Sequence, residues 1–263
     1  MEQDPRVWIA TLRSSHERLA ALVEPLSPEQ LRAQSYDDDW SVAQVLSHLG
    51  SGAEISLMSL PAALGQAEPL DRATAFQPVW DVWNAKSPDE QAADCLTWDQ
   101  KQVQALEQLS DDELAGISMP FIGGMVLDAA GMVGLRLGEH ALHTWDVAVT
   151  FGPEATVAPD AVDLLIDNVP GFLVPRLGRA PDVAFRARIQ TTGPDRDYLL
   201  IAADPVTMPD WPADGGGADT EISMPSEALL RLSYGRLDPA HTPAGVAAGP
   251  GYLDRLRTMF PGF

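Results

Sequence analysis

The sequence predicts a chain of two domains: an N-terminal four-helix bundle and a smaller C-terminal α+β domain. Three observations support this fold class. The chain has 263 residues, enough for two modest domains. Long segments with helical spacing of apolar residues fill its first part, and short runs of strand character occur only later. Pro153 and Pro159 mark the change, so we predict a bundle over residues 1–153 and an α+β domain over 154–263.

The helices of the bundle are predicted from their apolar stripes and from the residues that start them. Their approximate ranges are 4–23, 41–60, 87–109 and 125–150. An acidic run at 37–39 precedes the second helix, where the positive end of the helix dipole favours carboxylates. Ser87 and Pro88 open the third helix, as N-cap and first helical residue. We expect irregular chain between the second and third helices, and no strand in this domain.

The C-terminal domain is predicted from strand-like runs and turn residues. Residues 184–190 and 198–202 are expected to pair as a hairpin around the turn at Gly193 and Pro194. Residues 221–224 are a candidate third strand. Ser226 is expected to cap a helix that begins after Pro225, and residues 252–259 form a terminal helix.

Charge and cysteine content exclude several classes of function. The chain has 17 Lys and Arg against 38 Asp and Glu, a net charge of −21. Nucleic acid and anionic membrane surfaces are therefore excluded as partners, whereas an acidic small molecule needs only one local cationic pocket. The only cysteine, Cys95, allows no intramolecular disulfide, which indicates a reducing, cytoplasmic setting. We expect Cys95 to be buried and inert, and we expect no signal peptide or transmembrane helix.

Sequence motifs for several common active sites are absent. The chain has no Walker A motif, no G-x-S-x-G, no G-x-G-x-x-G after a strand and no C-x-x-C. ATP-dependent, dinucleotide-dependent and serine-hydrolase chemistry therefore lack their usual support.

A candidate metal site involves the second and fourth helices. Glu139 and His143 are four residues apart and so share one helix face. Such pairs, with a ligand from a facing helix, often build metal sites in bundle cores. His48, beside the apolar stripe of the second helix, is the natural third ligand. The alternative is a solvated Glu/His pair, which is common on helix surfaces.

Burial of the fourth helix favours the metal. Apolar residues surround this helix almost completely, which predicts that it is buried. An ionised Glu139 in such a setting is costly unless it is paired or bound to a metal. Gly134 and Gly138 indicate close approach of another backbone or tight packing. His140 points away from Glu139 and is expected to support the site or to pack.

Most of the tryptophans are expected in the core rather than at a ligand. This expectation covers Trp40, Trp80, Trp83 and Trp145.

Three motifs occur in the order found in a known family: residues 40–50 with His48, the segment Arg136-x-x-Glu139-x-x-x-His143-x-Trp145-Asp146, and residues 229–236 ending in Gly235-Arg236. The chain resembles the mycothiol-dependent maleylpyruvate isomerase family of DinB-like metalloenzymes over nearly its whole length. The resemblance implies a DinB-like four-helix bundle followed by an α+β domain similar to sterol-carrier domains.

The resemblance also implies a site and a chemistry. A divalent metal, with zinc favoured, is held by His48, Glu139 and His143, with one coordination position open. Arg236 matches the Gly-Arg motif and is a candidate catalytic residue that holds a substrate carboxylate, although a structural role is an equal alternative. Mycothiol is the expected co-substrate, consistent with a GC-rich actinobacterial source. Its metal-bound thiolate would add to a small electrophile, giving cis–trans isomerisation or S-transfer.

Three functions stay open from the sequence: a thiol-dependent isomerase or S-transferase; a thiol-independent isomerase, lyase or cyclase on the same fold; and a non-catalytic protein that binds a small ligand. We expect specificity to reside in the stretches 60–87 and 117–124. The chain is expected to be a monomer or homodimer.

Overall fold

The computed structural model describes residues 4–121 and 124–262. Within it the chain divides into two compact units, Met1–Ala155 and Thr156–Phe263. The functional domain boundary after residue 153 stays a prediction. In the part of the chain that is described, no helix combines the length and apolarity needed to cross a lipid bilayer.

The first unit is the predicted four-helix bundle. Its helices are α1 (Pro5–Val23), α2 (Pro28–Leu31), α3 (Val42–Ala63), α4 (Arg72–Ala75), α5 (Gln77–Asn84), α6 (Pro88–Glu107), α7 (Asp111–Gly116) and α8 (Ala129–Phe151). Both α1 and α3 pack against α6 and α8, and these long helices enclose a core that includes Leu46, Leu49, Trp83 and Cys95. The mainly helical character of this unit is confirmed.

Local sequence determines where the long helices begin. Ser41 and Gln44 form a capping box at the start of α3, and Ser87 and Glu90 form another at the start of α6. In each box the serine side chain accepts from a backbone N–H in the first turn, and the Gln or Glu side chain accepts from the serine N–H.

Three expectations for the bundle are wrong. The fourth helix begins at Ala129 rather than at residue 125, because Asp128 accepts a hydrogen bond from the Gly131 N–H and caps the helix there. The two residues before Asp128 are extended as β2 (Val126–Leu127) and pair antiparallel with β1 (Met119–Pro120). A small sheet therefore exists where none was expected. The stretch between α3 and α6 is also more regular than predicted, since it contains α4 and α5.

The second unit is the smaller α+β unit. It contains α9 (Pro159–Leu165), a π-helical segment (Val169–Leu173), α10 (Val174–Leu177), β3 (Phe185–Thr192), β4 (Arg196–Ala202), β5 (Thr220–Pro225), α11 (Ser226–Ser233), a 3₁₀ turn (Pro239–His241), β6 (Ala247–Ala248) and α12 (Tyr252–Met259). The sheet order is β4-β3-β5-β6, with β3 antiparallel to β4 and parallel to β5. The predicted hairpin and the third strand are confirmed, and the helical stretch from α9 to α10 was not expected.

The sheet core follows from alternation along β3, where Ala187 and Ile189 are buried and Arg186 is exposed. Ile189 lies opposite Tyr198 of β4 and Ile222 of β5, so the three strands contribute to one buried layer. Helix α11 packs against β5 and α9.

The proposed cap of α11 is wrong. Pro225 is the N-cap residue and no side chain caps the helix. The Ser226 hydroxyl instead donates to the Pro194 carbonyl, at 2.6 Å.

Candidate metal centre

Helices α3 and α8 bring the three predicted metal ligands together. Each of His48, Glu139 and His143 offers one ligand atom, and these atoms lie within 4.8 Å of one another. His48 Nε2 is 3.1 Å and His143 Nε2 is 3.6 Å from the same oxygen, Glu139 Oε2. Glu139 and His143 meet because they are one turn apart on α8, and the packing of α3 against α8 supplies His48.

Asp146 fixes the orientation of His143. Its Oδ2 atom is 2.8 Å from His143 Nδ1, and the carboxylate is fully buried. This contact keeps a proton on Nδ1, so a metal ion at the cluster would meet the Nε2 lone pair of His143. Metal-binding histidines commonly have such a carboxylate behind them, because it fixes the ring and makes Nε2 more basic.

Trp40 lies beside both imidazoles. Its ring centroid is 5.1 Å from that of His48 and 6.0 Å from that of His143. The residue is half-buried, so the indole forms an apolar wall beside the site as well as packing against the core.

Electrostatics favour an ionised Glu139. Desolvation raises the pKa of this carboxyl, but hydrogen bonds from His143 and His48, together with their charges, outweigh it and bring the pKa well below its ordinary value. The carboxylate is therefore the anionic member of the set.

The expected deep burial of Glu139 is wrong, because 42% of its side chain is exposed, as is 38% of the His48 side chain. Most of α8 is buried, but Glu139 is one of its partly exposed residues. Burial of Glu139 therefore gives no support for a bound metal. What supports a metal is the convergence of two imidazole nitrogens on one carboxylate oxygen.

The donor set fits a divalent first-row cation. Two neutral imidazoles and one carboxylate, with an exposed side, match catalytic zinc sites that keep a position open. Nitrogen and oxygen donors of this kind also accept other first-row metals.

His140 lies outside this cluster, as expected, in a buried polar network. Its Nδ1 is 2.8 Å from the Ser15 hydroxyl, and its Nε2 contacts Asp99. Arg136 donates to the other oxygen of Asp99 at 2.6 Å. His140 therefore supports the position of α8 within the bundle.

The expectations for the tryptophans and for Gly134 are confirmed in part. Trp83 and Trp145 are buried, but 39% of Trp80 is exposed, so its assignment to the core is wrong. A Cβ added at Gly134 would lie 3.0 Å from the Trp8 ring, which shows that this glycine accommodates a side chain and not a backbone.

Cys95 is buried, as expected. Burial raises the pKa of its thiol well above the ordinary value, which makes it unsuitable as a nucleophile.

Arg236, the candidate catalytic residue, belongs to the second unit. Its side chain is buried, and its Nη1 donates to the Tyr234 carbonyl at 2.9 Å. The preceding Gly235 has a φ of +75°, and a Cβ there would lie 2.4 Å from the Gly262 nitrogen. Glycine is thus required before Arg236 on structural grounds.

Sequence reasoning gave Asp146 no role and placed Trp40 only in the core. The signal for Asp146 was present, because it follows His143 by three residues on the same helix and so shares its face. Trp40 precedes α3, and its position beside His48 depended on how the chain enters that helix.

Comparisons with known proteins identify the family. Residues 12–148 match the family model described as the mycothiol maleylpyruvate isomerase N-terminal domain. A search of curated proteins finds no match.

Two structures of the mycothiol-dependent maleylpyruvate isomerase show the same fold. A crystal structure of the mycothiol-dependent maleylpyruvate isomerase is 15% identical, with a TM-score of 0.69 and 95% of each chain covered. A histidine-to-alanine mutant of that enzyme is 14% identical, with the same TM-score and coverage. YfiT from Bacillus subtilis, described as having an unusual four-helix bundle topology, is 20% identical, with a TM-score of 0.44 over 57% of this chain and 87% of its own.

The family model spans more than half of the chain, and the isomerase structure extends the likeness of fold to both units. The chain belongs to the mycothiol maleylpyruvate isomerase N-terminal domain family.

Proposed function

We propose that this protein is a metal-dependent enzyme in which a low-molecular-weight thiol, mycothiol, attacks a small electrophile, with cis–trans isomerisation or S-transfer as the outcome. The observation that carries the proposal is the convergence of His48 Nε2 and His143 Nε2 on Glu139 Oε2. Family membership supports the choice of thiol and of substrate type.

The ligands in this proposal are His48, Glu139 and His143, and zinc is the favoured metal. A bound divalent cation lowers the pKa of a coordinated thiol, so that the thiolate is available near neutral pH. Asp146 holds the ring of His143 in the orientation that directs Nε2 at the site. Trp40 keeps one side of the site apolar, which limits access of water to the reacting groups.

The chain's own thiol is unsuited to the reaction. Cys95 is buried and its pKa is raised, so an external thiol must supply the sulfur. The thiolate forms a bond to one carbon of an activated double bond, and the π-electron pair moves onto the activating group, which leaves a single bond free to rotate. If the electron pair then returns and expels the thiolate, the double bond re-forms as the geometric isomer. If the other carbon takes up a proton instead, the product is the thioether.

Arg236 is proposed to hold a carboxylate of the substrate. A guanidinium binds a carboxylate through two parallel hydrogen bonds, a geometry that lysine cannot reproduce. The proposal also places the enzyme in a reducing, cytoplasmic compartment, in keeping with the absence of a possible intramolecular disulfide.

Metal analysis tests the ligands. We expect about one zinc per chain in the purified protein, and loss of most of it in the His48→Ala and His143→Ala variants. The matched control is His241→Ala, because His241 pairs with Asp238 in the second unit and is expected to leave metal content unchanged. Full metal content in both cluster variants would show that the ligand assignment is wrong.

A thiol screen tests the chemistry. Isomerisation of maleylpyruvate and conjugation of monochlorobimane are measured with mycothiol, glutathione, bacillithiol or no thiol. We expect activity with mycothiol that is lost when the metal is chelated. Metal-dependent turnover without thiol would instead identify an isomerase, lyase or cyclase of another kind, and protein without metal or turnover would support a binding function.

A further inference from the structure

The first unit contains a cavity of about 400 Å³ between α3, the α4–α5 segment, β1 and the start of α8. Most of its lining is apolar and includes Ile55, Leu60, Phe76, Met119 and Met132. Small-molecule sites are typically apolar cavities of this size with a few placed polar groups that fix the ligand's orientation. The cavity therefore has the character of a ligand site if a polar group faces it.

Arg136 supplies that group. It lines the cavity and is only 8% exposed. Its Nε donates to Gln102, and its Nη2 donates to the Leu49 carbonyl and to Asp99. Nη1 has no hydrogen-bond partner among the described residues. A Cβ at Gly52 would lie 2.9 Å from Nη1, so the absence of a side chain there leaves room for this end of the guanidinium.

The charge of Arg136 is already compensated. Asp99 is buried against it at 2.6 Å, and the pair is neutral overall. A carboxylate ligand would bring an uncompensated charge into an apolar cavity, which is costly. A neutral carbonyl oxygen would accept the Nη1 hydrogen bond without that cost. Arg72, the other cation of the lining, is exposed and lies over the Phe76 ring, 5.7 Å from its centroid.

We propose that this cavity binds an uncharged, mostly apolar small molecule whose carbonyl oxygen accepts a hydrogen bond from Arg136 Nη1. The ligand's apolar part fills the space lined by Ile55, Phe76 and Met132. The proposal is independent of the proposed function, because such binding needs neither metal nor thiol.

The cavity and the candidate metal centre occupy consecutive parts of the same helix faces. On α3, Gly52 follows His48 by four residues, and Ile55 follows by seven. On α8, Arg136 precedes Glu139 by three residues, and Met132 precedes it by seven. Residues at these spacings share a face, with each turn advancing about 5.4 Å. The Arg136 end of the cavity is thus about one turn from the cluster.

Fluorescence titration with 6-propionyl-2-(dimethylamino)naphthalene tests the site. This probe is a neutral apolar ketone whose emission shifts to the blue in an apolar environment. Ser59 lines the cavity, whereas the adjacent Met58 is 40% exposed and is not part of the lining. We expect Ser59→Trp to weaken binding about tenfold or more, because the indole fills the cavity, and Met58→Trp to leave binding unchanged.

Circular dichroism checks that both variants are folded. If Ser59→Trp does not fold, Ala62→Phe replaces it as the cavity-filling variant. If a folded cavity-filling variant binds the probe as tightly as the wild type does, the assignment of the site is wrong.

Competition defines the ligand class with three molecules of similar shape. 2-Acetylnaphthalene carries a neutral acceptor, 2-ethylnaphthalene carries none, and 2-naphthoate carries a charge. We expect 2-acetylnaphthalene to displace the probe about fivefold more effectively than either of the others, the effect of one hydrogen bond. Equal displacement by 2-ethylnaphthalene would exclude a role for Arg136, and strongest displacement by 2-naphthoate would show that the cavity is an acid site.

Discussion

His143 Nδ1 and Asp146 Oδ2 lie 2.8 Å apart on the same face of α8, and the Asp146 carboxylate is fully buried. A carboxylate can be buried without a large energetic cost only where a hydrogen-bond donor satisfies it. The pair therefore does two things: the imidazole satisfies Asp146, and Asp146 directs His143 Nε2 toward Glu139 and His48. The helix thus contains both a candidate ligand and the residue that orients it.

Asp146→Asn is expected to weaken zinc binding about 10- to 100-fold while leaving the fold intact, because the amide keeps the shape but no longer makes His143 more basic. Competition with a zinc-binding dye measures the affinity. Asp94→Asn is the control, since Asp94 pairs with Lys86 on the surface. Unchanged affinity in Asp146→Asn would remove Asp146 from the site.

Gly50→Ala is expected to destabilise the bundle by about 3 kcal/mol or more through overpacking. A Cβ at this position would lie 2.2 Å from the Trp83 ring and 2.9 Å from the Cys95 Cα. Urea unfolding measures the change. Gly116→Ala is the control, because a Cβ at Gly116 meets no described atom within 4 Å, and it should not destabilise. The cost at Gly50 should fall in a Trp83→Leu background, which removes the clash with the ring but leaves the close approach to the Cys95 Cα.

Asp99→Asn is expected to lower the free energy of unfolding at neutral pH by about 3–5 kcal/mol, because it leaves the Arg136 charge buried without its partner. Burial raises the pKa of Asp99, but the charges of His140 and Arg136 outweigh it, and the folded-state pKa lies well below the ordinary 3.8.

The stabilisation from Asp99 is therefore complete above the ordinary pKa and is lost as the pH falls below it toward the folded-state pKa. Urea unfolding between pH 7 and pH 3 should show this loss in the wild type and a flatter profile in Asp99→Asn. A variant as stable as the wild type at pH 7 would contradict the prediction.

Tyr198→Phe is expected to raise the free energy of unfolding by about 1 kcal/mol, because the buried hydroxyl has no hydrogen-bond partner among the described residues. Burial raises the pKa of Tyr198 to about 12. The wild type should therefore lose stability as the pH rises above the ordinary pKa of 10.0 toward 12.

Chemical denaturation at pH 7 and at alkaline pH measures both effects. Tyr252→Phe is the control for loss of a tyrosine hydroxyl in the same unit. A loss of stability in Tyr198→Phe at pH 7 would show that the hydroxyl is hydrogen-bonded in solution.

The helical architecture was predictable because its signals are local. Apolar spacing identified the long helices, and Ser41 and Ser87 marked two of their starts. The start of α8 at the Asp128 cap was missed, and so was the pairing of β2 with β1 just before it. That pairing joins residues from two stretches of chain, and no local pattern specifies it.

The candidate site was predictable in its members but not in its environment. One-turn spacing joined Glu139 to His143, and bundle geometry together with the family resemblance added His48. The exposure of Glu139 and the place of Trp40 beside both imidazoles depend on how helices pack and how the chain enters α3. In the predicted specificity stretches, Pro69 and Phe76 of 60–87 and Met119 of 117–124 line the cavity, while residues 122 and 123 lie outside the described part of the chain.

The sequence by itself determined the helices of the bundle, the hairpin and strand of the second unit and the acidic charge, because periodicity, capping and composition act over short distances. Tertiary structure alone decided that Asp99 compensates Arg136 and that this arginine lines an apolar cavity. The three groups that accept hydrogen bonds from the Arg136 guanidinium come from two other helices: Asp99 and Gln102 from α6, and Leu49 from α3. They meet it only after α3, α6 and α8 have packed together.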